Sequence, residues 1–227
     1  MMYEENEESL RIPADAHTFE GFWRWVDSDE FPESGRIDFL GGEIEADMSP
    51  EDLYTHGALK VEIVATLVEL VKRSGRADVQ SDSSRFRSPF ASVTTEPDVI
   101  VVFRESVENG RVRLVPSSRR KSHDRVLAFE GAVDLIVEIV SNSSVGKDLK
   151  RLPPFYARAG VRELWLLDAR KTDLRFDLLT LQEGAYVAVP ADADGWINSP
   201  RLGRAFRLQR FRQPPFPWSY RLEHRGS

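Results

Sequence analysis

The segment VDLIVEIV, residues 133–140, sets the tightest constraint on what this chain can fold into. It is almost wholly apolar and β-branched, with charge only at Asp134 and Glu138. Such a run suits a central strand buried on both faces. A polar loop, SNSSVGKD, follows, and Pro153-Pro154 then marks the start of a helix that closes at Ala159-Gly160. ELWLLD, at 163–168, is a second buried strand. Strand, helix and strand in this order imply a right-handed parallel crossover.

The preceding chain supplies the other layers. Thr18 caps a short helix through Val26, and RIDFLGGEIEADM is a hairpin turning at Gly41-Gly42. Ser49-Pro50-Glu51-Asp52 begins a helix with Ser49 as N-cap; it runs to about Ser74, with Leu59, Ile63, Leu67 and Leu70 as its buried stripe. VQSDSSRFRS is one edge-like strand, EPDVIVVF a compact β-branched one, and RVRLV a short one. LRFDLLTL and AYVAV form a hairpin around Glu183-Gly184. The expected fold is α/β, with a mixed central sheet flanked by helices in the order helix, three strands, helix, strand. Residues 1–16 are expected to be a flexible N-terminus, 17–190 the domain, and 191–227 a C-terminal extension wrapping it.

Composition narrows the function. Hydrophobic residues are 41% of 227, enough for a packed core. No apolar run approaches the ~20 residues of a membrane span, and MMYEENEESLRI lacks the basic start and apolar stretch of a secretory signal. No membrane association is expected, and a cytoplasmic location is. The absence of cysteine excludes disulfides and thiolate metal sites, and the four histidines give no zinc spacing. A net charge of −6 argues against gripping nucleic acid by overall attraction. Two local basic clusters stand out: Arg119, Arg120, Lys121 and Arg125, and Arg201, Arg204, Arg207, Arg210 and Arg212. Each reads equally as a solvated face. No interleaving of aromatic with basic residues is strong enough to mark base stacking.

Two carboxylates sit where an ordinary core avoids them. Asp98 follows Pro97 at the start of an apolar strand, and Glu138 lies inside one. Burying an unpaired carboxylate costs several kcal/mol, so each needs a cation or donors. A divalent ion is an economical partner for the pair. The bland alternative gives Glu138 an arginine such as Arg85 or Arg87, or a place at the sheet's margin. His56 continues the stripe of the first long helix; it is either a satisfied structural residue or an auxiliary group at the site.

EPDVIVV, VDLIVEIVSNSS, Asp148 and FYARAGVRELWLLD together resemble the bacterial Uma-two family of restriction endonucleases, within the PD-(D/E)XK nuclease superfamily. GGEIEADMSP and His56 resemble the family's opening pattern. The resemblance runs from about Arg36 to about Val189 and implies a restriction-endonuclease-like αβββαβ core. It implies that Asp98 and Glu138 hold Mg²⁺ or Mn²⁺, with the Ile139 carbonyl as a third ligand, and that the reaction is phosphodiester hydrolysis, in DNA. Glu43 is a candidate for the extra acidic residue of many superfamily members.

The chain departs from the pattern at lysine. Val140 occupies the superfamily's lysine position, and Leu152 the position to which the family moves it. Lys147, Lys150 and Arg151 lie just upstream, in what reads as a flexible approach to the helix at Pro153-Pro154; Lys150 is the one chosen as charge stabiliser. Two readings stay open: a metal-dependent endonuclease, with a homodimer suited to cutting two strands, and a catalytically degenerate nuclease fold that binds nucleic acid or protein.

Overall fold

The computed structural model describes residues 10–118 and 125–226. Residues 1–9 of the expected flexible segment, and Arg119, Arg120 and Lys121 of the first basic cluster, lie outside the described residues. Within 10–16 the chain is already packed: Ala14–His17 is a helical turn with Ala16 fully buried. Thr18 caps α1 (Phe19–Val26) by accepting from the Gly21 amide at 3.1 Å.

The central sheet contains β3 (Ala77–Ser81), β6 (Val99–Phe103), β9 (Leu135–Ile139), β10 (Glu163–Asp168), β11 (Arg175–Gln182) and β12 (Ala185–Ala188). Their spatial order is β12-β11-β10-β9-β6-β3. β6 runs antiparallel to β3 and β9, and β10 runs parallel to β9. One face is covered by a long helical rod made of Leu53–Gly57, α2 (Ala58–Leu67) and Val68–Lys72. The other is covered by Lys147–Arg151 and α4 (Leu152–Ala159). A short α3 (Arg104–Glu108) follows β6. The αβββαβ order is therefore α2, β3, β6, β9, α4, β10.

Period-two alternation divides the core. Val99, Val101, Leu135, Val137 and Ile139 pack with Leu59, Ile63 and Leu67 of α2. Ile100, Val102 and Ile136 pack with Leu152 and Tyr156 of α4. Cover on both faces is why β9 reads as a continuous apolar run. Each fully buried large side chain contributes ~1.5–3 kcal/mol.

A second six-stranded sheet was not legible as a separate layer. It orders β2 (Glu43–Asp47), β1 (Arg36–Leu40), β5 (Val93–Thr95), β4 (Arg85–Ser88), β8 (Val126–Gly131) and β7 (Val112–Pro116). The expected single strand VQSDSSRFRS is broken at Asp82 and Ser83, whose φ of 43° and 50° turn the chain from one sheet into the other. A third sheet, β13 (Ile197–Ser199), β14 (Arg204–Gln213) and β15 (Phe216–Gly226), follows β12. Phe206, Tyr220 and Leu222 from it join the core on the α2 side.

Three helix expectations need correction. The N-cap of the first long helix is Asp52, not Ser49: its carboxylate accepts from the Tyr54 and Thr55 amides at 2.9 and 2.6 Å. Helix therefore begins at Leu53, and Glu51 is left in the preceding loop. The buried stripe ends on Val71, with Leu70 only partly buried, because the last turns are widened. Helix also begins at Lys147, well before Pro153-Pro154. The widened turn there, closed by the Leu152 amide on the Lys147 carbonyl, lies just ahead of the prolines, whose rings cannot follow an ordinary turn. Lys147, Lys150 and Arg151 are thus held on a helix.

Candidate active site

Asp98 sits one residue before β6, and Glu138 lies in β9. The ladder pairs Val99 with Val137 and Ile100 with Ile136, so its continuation sets Asp98 opposite Glu138. Both side chains are buried. One Asp98 oxygen accepts from the Ile139 amide at 2.6 Å, so Ile139 meets Asp98 through its N–H. The other faces three cations: Arg36 at 2.9 Å, His56 Nε2 at 3.3 Å and Lys60 at 3.5 Å. Burial alone would raise the Asp98 pKa, but the His56 hydrogen bond and the charges of Arg36, His56 and Lys60 outweigh it and hold the carboxyl well below its usual range.

His56 occupies the first helical turn and is buried. Its Nδ1 lies 3.0 Å from a Glu51 oxygen. Burial by itself would lower its pKa, yet Asp98 and Glu51 raise it to about 9. Contact with His56 in turn helps lower Glu51 to about 2. Glu51, His56 and Asp98 each offer a ligand atom within 4.8 Å of the others, a triad able to hold a metal ion.

Glu138 lives in the opposite electrostatic setting. Its one oxygen accepts from the Tyr156 hydroxyl of α4 at 2.6 Å. Burial, then the charges of Asp148 and Asp98, push its pKa well above the usual carboxylate range, against the opposing Tyr156 hydrogen bond and Arg36 charge. Asp148 is also buried. It accepts from the Ser144 hydroxyl through Oδ2, while Oδ1 has no partner among the described residues. Burial is the main cause that raises Asp148 to about 7.

Of Lys147 and Lys150, it is Lys147 that meets the charges of Glu138 and Asp148. Lys147 Nζ lies 2.8 Å from Asp38 Oδ2 of β1, and the charges of Asp148 and Glu138 also act on it. Lys150 is exposed. The two pattern positions, Val140 and Leu152, are each 1% exposed, filled by core side chains. Glu43 is exposed and bonded to Arg151 at 2.6 Å, away from the cluster. The arginines suggested for Glu138 are spent elsewhere: Arg85 pairs with Glu96, and Arg87 with Glu130 at 3.1 Å.

A polar cleft of about 240 Å³, lined by Arg36, Glu51, His56, Asp82, Glu96 and Ser143 among others, opens beside these groups. Sequence reasoning missed Arg36, Asp38, Glu51, Lys60 and Tyr156. Tyr156 lies in the FYARAG segment of the family resemblance, and the expected Ser49 cap placed Glu51 inside the helix rather than in the loop before it. No helix among the described residues is long and apolar enough to cross a membrane.

The α2–β3–β6–β9–α4–β10 arrangement, with acidic side chains at the ends of β6 and β9, places the chain in the nuclease-fold class of restriction-endonuclease-like proteins. A family model described as "Uma2: Putative restriction endonuclease" matches residues 19–209. The chain belongs to the Uma2 family. Among solved structures it is similar to "a putative nuclease belonging to DUF820" from Anabaena variabilis ATCC 29413, with TM-score 0.59 and 18% identity, over 82% of this chain and 90% of that one. No curated protein matches the chain.

Proposed function

We propose that this protein is a divalent-metal-dependent endonuclease that hydrolyses phosphodiester bonds in DNA. The observation that carries the reading is the excess of buried carboxylate around Glu138. Asp148 Oδ1 has no hydrogen-bond partner among the described residues, and Glu138 resists ionisation because it is buried and because Asp148 and Asp98 lie near it. A divalent cation is the partner that such a donor set fits, since oxygen ligands and two carboxylates suit Mg²⁺ and Mn²⁺. Asp98, Glu138 and the Ile139 carbonyl would hold it, with Asp148 beside them. Such an ion supplies a water of lowered pKa and neutralises charge on the phosphodiester.

The protein's own groups supply the rest. Arg36 and Lys147 place positive charge beside the carboxylates, where an anionic phosphate would otherwise be repelled. Lys147 takes the part first given to Lys150. His56, charged at neutral pH, holds Asp98 and Glu51 in place and borders the cleft. A homodimer would bring two such sites to the two strands of a duplex.

A second reading has its own support: Asp98 already has three cations and a backbone amide around it, as expected of a degenerate site kept for binding. Supercoiled plasmid incubated with Mg²⁺ or Mn²⁺ separates the two. The endonuclease reading expects nicking by the wild type that falls at least ~10²-fold in Asp98→Asn and Glu138→Gln. Metal binding without nicking by the wild type would leave the degenerate module standing.

A further inference from the structure

The hairpin of β14 and β15 brings arginines and aromatics from its two strands side by side. Residues 204–226 carry six arginines against one acidic residue, Glu223, in a chain of net charge −6. Antiparallel pairing brings Arg210 opposite Tyr220 and Phe211 opposite Ser219. The guanidinium groups of Arg210 and Arg212 then lie 4.3 and 4.2 Å from the Trp218 ring, and Arg221 lies 5.5 Å from Phe211. Residues 211–217 at the tip are all exposed, with Phe216 at 55%.

Several arginines have structural work. Arg207 pairs with Glu223, Arg225 with Asp192, and Arg210 donates to the carbonyls of Ala169, Lys171 and Thr172. Arg212 and Arg221 have no ion pair among the described residues, and their aromatic neighbours fix their direction without neutralising them. The hairpin also lies beside the candidate site. The Leu222 amide donates to Glu62 of α2 at 2.8 Å, and Tyr220 feels the charge of Asp52, the cap of the turn that holds His56.

We infer that the β14–β15 hairpin is a docking arm for duplex DNA, with Arg212 and Arg221 on phosphates and the tip at Phe216 entering a groove. This rests on the endonuclease reading for its purpose but not for its test. Charge complementarity argues for a polyanion: a focused basic arm on an acidic body attracts phosphate locally where the whole chain does not. Shape argues for a duplex, whose major groove, ~12 Å wide, admits a two-stranded ribbon. Trp218 argues against a single strand, because two guanidinium groups already cover the ring that an unpaired base would stack on.

The test is fluorescence anisotropy of a labelled mixed-sequence 20-base-pair duplex with the full chain in EDTA, across a salt series, for wild type and Arg212→Ala/Arg221→Ala. Both side chains are exposed, so an unchanged thermal melt is expected and confirms folding. The expected result is a loss of at least ~10-fold in affinity and a log–log salt slope shallower by about 2. Unchanged affinity and slope in the double variant overturns the arm, even if plasmid nicking persists. Tighter binding of the matching single strand, or of RNA, overturns the duplex as occupant. Arm-dependent binding without any nicking keeps the arm and removes the nuclease, so the two ideas fail separately. No binding of any nucleic acid by the wild type overturns the arm.

Discussion

Asp98 and Glu138 face each other across adjacent strands, equally buried, yet their surroundings drive them to opposite protonation. The Asp98 side holds Arg36, His56 and Lys60, and the carboxyl stays ionised. The Glu138 side holds Tyr156, Asp148 and only the more distant Arg36 and Lys147, and the carboxyl is driven toward its neutral form. Burial acts alike on both, so the difference lies in the neighbours. One half of the site already holds three cations; the other is short of positive charge. The two carboxylates therefore place different demands on any added cation.

The largest expected effect separates the halves by stability. Asp98→Ala leaves three cations facing an uncharged pocket and should cost ~3–5 kcal/mol in urea denaturation, as breaking a buried ion pair does. Glu138→Gln removes a reluctant charge and should stay within about 1 kcal/mol of wild type at pH 8, or exceed it. Equal losses in the two variants would erase the contrast. Next, Lys147→Ala should lower plasmid nicking ~10²-fold or more, while Lys150→Ala stays within about 2-fold. The reverse ranking would return the role to the exposed lysine.

A smaller effect should come from the metal itself. Mn²⁺ at 100 times its Kd should stabilise the wild type by ~2.7 kcal/mol and Glu138→Gln by much less. Affinity measured by calorimetry should rise from pH 6 to pH 8, because Asp148, raised to about 7, must lose its proton to meet a cation. A flat profile would remove Asp148 from the ion's surroundings. The smallest effect concerns the Asp98 half. His56 has a pKa raised from 6.5 to about 9, so its charged form stabilises the fold fully below pH 6.5, and that contribution fades as pH rises through 9. The stability gap between wild type and His56→Gln should therefore shrink from pH 6.5 to pH 9.5; a constant gap would mean that His56 acts by packing alone.

The contrast also explains what the sequence could and could not tell. Asp98 and Glu138 stood out because a charge in a β-branched run violates the burial pattern around it. The order of core elements followed from periodicity for the same reason, since both faces of β9 are covered. Arg36, Lys60 and Tyr156 gave no such signal. Each looks like an ordinary surface or core residue until the fold brings it to a carboxylate far away in the chain. The second sheet was hidden because β4 presents Arg85 and Arg87, which look solvent-facing. Both are buried, with Arg85 beside Phe22 and Phe31 and Arg87 beside Phe19 and Trp23. Ser49 fits a cap by its type and by Pro50 and Asp52 after it. Asp52 competes better because one carboxylate oxygen takes two amides, and that choice releases Glu51 toward His56.

The long helix bearing His56 shares its core with Phe206, Tyr220 and Leu222, from strands made more than a hundred residues after it. During synthesis the ribosome emits that helix early and its cover late. His56 and its neighbours must wait, half-dressed in solvent, until the closing strands arrive. A chain cut before those strands would hold every group that touches Asp98 and Glu138, yet leave part of the apolar core around the helix uncovered.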